Sequence, residues 1–384
     1  MDNFYCASPW RGLHINVRGD IKTCCAGNSN ILGNLNTKTI EEVLNGPELT
    51  EIRQLIRQGK PHEVYCSGCI QRESRGAGSE RDWHNNINED FDATKASDNY
   101  EFPTLLDIRW NTTCNLSCNY CGPWDSSMWS SIKKIPINTS TRKYYEDVCE
   151  FIAKHKQHVK EVALVGGEPL LLPENERLLD VLPEDCVITV ITNLSNPLEP
   201  NKIFKKLAQR KNVGWSMSFD NIGSRFEYVR HGGTWDMLLH NLDILQSIMN
   251  DPVRQHWGGI HAVYNLYNAT RLCEFKQFAN DRGLSIRWQN LSGPAAVDPR
   301  QHGKEIADLA ALEIEKFFAT FIPSDEEKLL FTDALQHYQS IANTNITMLG
   351  QLQKFVSDIE DVYHPDTKGQ FATLWPELTM HLPK

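Results

Sequence analysis

Hydrophobic and polar positions along the middle of the chain alternate between two periods. Short apolar runs read as buried strands at Thr104–Trp110, Val159–Val165, Val187–Thr192, Val213–Phe219, Gly259–Asn265 and Leu284–Gln289. Between them lie stretches with helical spacing, at Thr141–Lys156, from about Asn201, at Thr234–Met249 and at Ala269–Asp281. In the first of these, Tyr145, Val148 and Ile152 share one helical face. Strands alternating with helices predict a parallel sheet joined by right-handed crossovers, so residues 101–293 read as one α/β unit.

The flanks follow other patterns. Alternation in Leu13-His14-Ile15-Asn16-Val17, then a turn at Arg18-Gly19-Asp20, predicts a small hairpin within residues 1–73. Residues 74–100 are polar and rich in turn formers, and read as a linker with a short helix near Ser79–Asn86. Beyond Gly293-Pro294 the pattern is helical, at Lys304–Thr320, Asp325–Ala342 and Ile346–Val362. Residues 294–384 are therefore expected to form a helical extension that packs on the α/β unit or closes its open side.

Composition narrows the class. The chain has 384 residues, 40% of them apolar, enough to bury a full core and one or two accessory units. A net charge of -10 argues against a broad nucleic-acid footprint. The start carries no basic and apolar export pattern, and no apolar run approaches the roughly 18 residues that cross a bilayer, so a cytoplasmic protein without membrane spans is expected. Eleven cysteines, many grouped at ligand spacing, then fit metal binding in a reducing compartment better than a disulfide framework.

Three of these cysteines, Cys114, Cys118 and Cys121, lie in one short loop directly after the first strand of the α/β unit. Three thiolates can hold three corners of a four-iron, four-sulfur cluster and leave one iron open. A structural zinc would need a fourth ligand nearby, and the loop offers none. A second group, Cys6, Cys24 or Cys25, Cys66 and Cys69, makes a complete four-cysteine site, with spacing favouring Cys24. Its two separated pairs are also compatible with zinc. Cys149, Cys186 and Cys273 sit in apolar patterns and read as buried small hydrophobes. His256 and His261 lack a metal-ligand partner and read as ordinary polar or core residues.

The first loop resembles the C-x3-C-x2-C signature of the radical S-adenosylmethionine superfamily, with Tyr120 as the aromatic residue before the last cysteine. Gly166-Gly167-Glu168, closing the second strand, resembles that family's GGE motif. The resemblance implies a partial (β/α)6 TIM-like barrel, with Thr192, Asn193, Ser218, Asp220 and Asn265 at the C-terminal strand ends where catalytic groups collect. It also implies roles. Gly166 to Glu168 would meet the methionine amino group of S-adenosylmethionine, Ser218 and Asp220 its ribose, and Arg230 its carboxylate. Asn221 stands where the family usually has glycine.

The N-terminal pattern Cys6-x12-Gly19-x4-Cys24 resembles the SPASM and twitch auxiliary iron-sulfur domains, here ahead of the barrel rather than behind it. The resemblance implies two 4Fe-4S clusters, an electron donor such as flavodoxin or ferredoxin, and reductive cleavage of S-adenosylmethionine to a 5'-deoxyadenosyl radical that abstracts a substrate hydrogen. A peptide or protein is the expected substrate. The alternatives are a small-molecule or nucleotide conversion and, without catalysis, an iron-sulfur or zinc binding module. Trp124, Ser126, Ser127 and Trp129 follow the cysteine loop, where they either meet substrate or pack the next helix.

Overall fold

The structure is a computed structural model that describes residues 4–25, 31–74, 78–97, 102–136, 143–341 and 348–383. Nine strands form one sheet: β1 Gly12–Ile15, β2 Asp20–Lys22, β3 Gly33–Asn34, β4 Leu105–Ile108, β5 Glu161–Leu164, β6 Val187–Thr192, β7 Val213–Ser218, β8 Trp257–Tyr264 and β9 Ile286–Asn290. Their order is β3-β2-β1-β4-β5-β6-β7-β8-β9. From β4 to β9 all neighbours are parallel. This is the six-stranded partial barrel that the alternating pattern and the resemblance predict. β6 and the Lys304–Thr320 helix match their predicted limits, and the Tyr145–His155, Lys202–Gln209, Trp235–Met249 and Leu272–Asp281 helices begin within a few residues of theirs.

The hairpin holds a position that local pattern does not reveal. β1 pairs in parallel with β4, with Gly12 opposite Leu105 and His14 opposite Asp107. The N-terminal hairpin thereby continues the barrel sheet. Gly12 lets the hairpin close tightly, because a side chain there would strike the Thr23 carbonyl at 1.9 Å. The Glu80–Ile87 helix, capped by Ser79 and Asp82, packs beside the junction.

The two faces of the sheet differ. In β6 to β9 one set of alternate residues, including Ile188, Val190, Trp215, Met217, Ile260, Ala262 and Trp288, is buried under helices. The other set, Thr189, Ile191, Ser216, Ser218, His261, Val263, Arg287 and Gln289, stays half-buried or exposed. The inner face therefore borders an accessible chamber instead of a filled core. Strand alternation aims each residue to its face.

The C-terminal extension covers two regions. The Asp325–Ile341 helix lies against β9, and its Tyr338 hydroxyl meets that of Tyr264, at the end of β8, at 2.8 Å. Its buried Glu327 pairs with Lys276 at 2.7 Å. The segment predicted as one helix over 346–362 is an α-helix at Leu349–Ser357 that widens to a π-helical turn at Asp358–Tyr363, while residues 346 and 347 lie outside the described residues. Leu352, Val356, Phe371, Trp375 and Leu378 join Trp129, Tyr228 and Tyr267 in a second core on which Tyr120 and Cys121 also pack. The Trp375 indole donates to the Tyr267 carbonyl at 2.9 Å.

Candidate functional site

The cysteine loop follows β4 and is held from two sides. The Ser127–Lys133 helix accounts for one: Ser126 caps it and donates to the Leu116 carbonyl at 2.6 Å, and the Cys114 amide donates to the Ser127 hydroxyl at 3.0 Å. The Trp129 indole donates to the Cys118 carbonyl at 2.9 Å, so Trp129 packs the helix and braces the loop from below. From the other side, the Ser117 amide donates to the His231 carbonyl at 3.0 Å, and the Asn119 amide to the Val229 carbonyl at 2.8 Å. These bonds fix the loop backbone and leave the three sulfurs as its chemistry.

Burial pushes the Cys114 thiol up to about 12, with the neighbouring Cys118 adding to the effect. Cys118 and Cys121 are raised by burial as well. A desolvated thiol ionises only when a positive charge compensates it, so these sulfurs stay neutral until such a charge is present. The Asn193 side-chain Nδ2 lies 3.7 Å from the Cys114 sulfur and also donates to Asn115 Oδ1 at 2.9 Å.

Gly166 and Gly167 let β5 end against this loop. Gly166 has φ 138°, and a side chain at Gly167 would meet the Thr113 carbonyl at 2.3 Å. The Glu168 amide donates to that same carbonyl at 2.8 Å. Glu168 itself is buried. Its carboxylate receives the Asn193 amide at 2.7 Å, the Thr192 hydroxyl at 2.8 Å and the Leu170 amide at 3.2 Å. Burial raises its pKa to about 7, against the pull of those donors. Glu168, Thr192 and Asn193 thus form one hydrogen-bonded unit that reaches the Cys114 sulfur.

Across the barrel, Asp220 collects three partners. One oxygen accepts the Tyr120 hydroxyl together with Arg230 Nε and Nη2 at 3.1 and 3.0 Å. The other accepts the Val263 amide at 2.6 Å. Arg230 is buried, its guanidinium 5.7 Å from the centre of the Tyr120 ring. Ser218 stands half-buried on the inner face of β7, level with His261 of β8. Asn265 is turned to local structure: it donates to the Val263 carbonyl at 2.8 Å and accepts the Tyr267 amide at 2.9 Å.

The second cysteine group converges. Cys6, Cys24, Cys66 and Cys69 line one small pocket with Phe4, Pro9, Ile56, Tyr65, Arg81 and His84. Burial raises the Cys6 thiol, and it raises Cys66 to about 11. Cys25 faces elsewhere, toward Glu80, Asp107 and Arg109. The buried donor set fits a cysteine-ligated cluster, whose potential the surrounding groups would tune.

Between the two cysteine groups, β1 and β4 present a charged triad that pattern reading missed. His14 Nδ1 lies 3.0 Å from Asp107 Oδ2, and Arg109 grips the same carboxylate at 3.1 and 3.0 Å. Burial opposes ionisation of Asp107, yet Arg109 and His14 together hold its pKa well below the usual carboxylate range. Only the β1–β4 register brings His14 and Asp107 together.

Comparison with known proteins agrees with this architecture. The radical SAM superfamily matches residues 108–266, and an iron-sulfur cluster-binding domain, SPASM, matches residues 6–70. Residues 108–266 thus carry a radical SAM domain, with an auxiliary cluster-binding domain placed before it. S-adenosylmethionine and iron-sulfur clusters are the cofactors of those domains, which sets the zinc reading aside.

Curated relatives include molybdenum cofactor biosynthesis protein 1 of Drosophila melanogaster, 22% identical over 48% of this chain and 31% of its own length. GTP 3',8-cyclase of Peptoclostridium acidaminophilum is 22% identical over 48% of this chain and 54% of its own length. A 7-carboxy-7-deazaguanine synthase of Clostridium acetobutylicum is 36% identical over 24% and 38%. The chain thus spans about half or less of these relatives. Among solved structures, anSMEcpe with bound AdoMet has 16% identity and a TM-score of 0.40 over 56% of this chain and 61% of its own. Streptococcus suis SuiB bound to precursor peptide SuiA has 15% identity and a TM-score of 0.40 over 71% and 63%.

Proposed function

We propose that this protein is a radical S-adenosylmethionine enzyme that oxidatively modifies a peptide or protein. The observation that carries the reading is the convergence of Cys6, Cys24, Cys66 and Cys69 on one pocket in a unit continuous with the barrel sheet. When bound, the cofactors supply reductive cleavage of S-adenosylmethionine to a 5'-deoxyadenosyl radical and a second redox centre.

The chain's own residues do the holding and shielding. Cys114, Cys118 and Cys121 would ligate the cluster at the barrel mouth, and Cys6, Cys24, Cys66 and Cys69 the auxiliary one. Glu168, Thr192 and Asn193 orient the strand ends beside Cys114, while Asp220 holds Arg230 and Tyr120 in place. Gly166, Gly167 and Ser218 shape the wall where S-adenosylmethionine would lie, while Asn265 braces the chain after β8. Abstraction of one hydrogen atom leaves a substrate radical that must lose one electron and one proton to give an oxidised product. Four protein ligands would saturate the auxiliary cluster, which suits it to accept that electron rather than bind substrate. We assign the enzyme to the reducing cytoplasm, with a flavodoxin or ferredoxin as donor; among the described residues no helix is long and apolar enough to cross a membrane.

Conversion of a small molecule or nucleotide is the second reading, favoured by the curated relatives, one of them by name a GTP cyclase. The test begins with anaerobically reconstituted, dithionite-reduced protein, which is expected to release 5'-deoxyadenosine and methionine from S-adenosylmethionine without substrate. No cleavage and no cofactor-dependent change in the electron paramagnetic resonance spectrum would return the chain to a binding module.

A further inference from the structure

We propose that Arg287, with His261 and Gln289 beside it, forms an anion subsite of the chamber that seats a carboxylate or phosphate group of the substrate. The inference deepens the reading above and rests on it for the identity of the chamber. Arg287 stands opposite His261 in the β8–β9 register, and His261 opposite Ser218 in the β7–β8 register. Three inner-face side chains therefore form a row across neighbouring strands. Gln289 is two residues further along β9 on the same face and hydrogen-bonds His261.

Availability of charge singles out Arg287. Arg109 is committed to Asp107, Arg230 to Asp220 and Arg300 to Asp298. Arg287 is exposed on the face of β9 that it shares with His261 of β8, and it makes no hydrogen bond or ion pair among the described residues. Its electrostatic neighbours are His261 and Glu326. Arg72, from the N-terminal unit, acts on the same Glu326 carboxyl, and its own Nε is donated to the neutral Gly78 carbonyl. Two arginines facing one glutamate leave this side of the chamber positive, in a chain whose net charge is -10.

Chemistry and place agree. A planar guanidinium grips a carboxylate or phosphate in a two-pronged fashion, and an inner-face position confines such an anion more than a free surface does. Burial lowers the pKa of His261 and Arg287 lowers it further, so the imidazole serves as a neutral hydrogen-bonding partner. His261 also senses Asp220 and Arg230, which puts the subsite beside the wall assigned to S-adenosylmethionine. A substrate anchored at Arg287 would extend toward the cysteine loop.

The test is calorimetric titration of cluster-loaded protein, with S-adenosylmethionine already bound, using tripolyphosphate in one arm and a tetraglutamate peptide in the other. Binding in the first arm alone identifies a phosphorylated substrate, and in the second alone a carboxylate-bearing one. In whichever arm binds, Arg287→Gln is expected to raise the dissociation constant at least tenfold and His261→Asn less. Arg18→Gln, on an exposed turn remote from the chamber, should leave it unchanged. No binding in either arm, or equal losses in Arg287→Gln and Arg18→Gln, overturns the subsite. Uncoupled cofactor cleavage, measured on the same samples, should persist in Arg18→Gln; its absence in the parent protein would count against the enzyme reading instead.

Discussion

Asp220 binds Arg230 through a single carboxylate oxygen, at 3.1 Å to Nε and 3.0 Å to Nη2, while its second oxygen is held by the Val263 amide. The pair is almost fully buried. Removing either partner strands a charge in a low-dielectric site, which costs on the order of 3–5 kcal/mol. Asp220→Asn and Arg230→Gln should each lower unfolding free energy by about that much, and the double variant by clearly less than their sum. Urea denaturation of the three variants measures this coupling. Additive losses would mean that Asp220 and Arg230 are held independently.

Metal content separates the two cysteine groups. The anaerobically reconstituted protein should carry about eight irons per chain, four for each cluster. Replacing Cys114, Cys118 and Cys121 together by alanine should remove about half. Four irons and one zinc in the parent protein would refute the auxiliary cluster.

Adjacent cysteines give a sharper contrast. Cys24 lines the auxiliary pocket, whereas Cys25 turns toward Glu80, Asp107 and Arg109. Cys24→Ala should therefore lose about four irons and Cys25→Ala none. Iron analysis with folding checked by circular dichroism decides it, and the reverse result would exchange the two assignments.

Glu161 predicts a pH dependence. It lies at the start of β5, hydrogen-bonded by Thr189, and burial raises its pKa to about 7 from the ordinary 4.5 of a glutamate. The folded protein thus holds a proton that the unfolded chain has released. The stabilisation this brings is complete below about pH 4.5 and disappears as pH rises through about 7. Glu161→Gln cannot release that proton, so its stability relative to the parent should grow by about 3 kcal/mol across this interval. Denaturation at pH 5 and pH 8 reads the difference, and a constant offset would show that Glu161 ionises normally.

The proposed oxidative reaction makes the N-terminal cysteine site testable by function. Cys66→Ala with Cys69→Ala should spare uncoupled cofactor cleavage and abolish product formation on the true substrate. Normal turnover by a correctly folded double variant would leave the N-terminal site structural.

The sequence made the barrel legible because each parallel strand is a local apolar run, as in Val187–Thr192, and each crossover helix repeats its apolar face. Part of the cysteine grouping was legible for a similar reason: Cys114, Cys118 and Cys121 fall within one loop, and Cys66 and Cys69 at the start of one helix. What sequence spacing could not supply is adjacency between distant strands. His14 and Asp107 are separated by 93 positions' worth of chain, and only the β1–β4 pairing joins them. His261 was read as an ordinary histidine because its neighbours Arg287 and Gln289 belong to another strand. The alternation of accessible residues in β8 and β9, small or polar on one face, was the available signal.

The parallel pairing of β1 with β4 also bears on how the molecule can be cut. An auxiliary unit tethered only by a linker could be removed without harm to its neighbour. Here its removal would uncover the backbone donors and acceptors of β4 along Leu105–Ile108, turning an interior strand into a sticky border open to pairing with other chains. The N-terminal unit is thus a guard against aggregation as well as a holder of cysteines, and a shortened barrel would need a new cover along that border to stay dispersed.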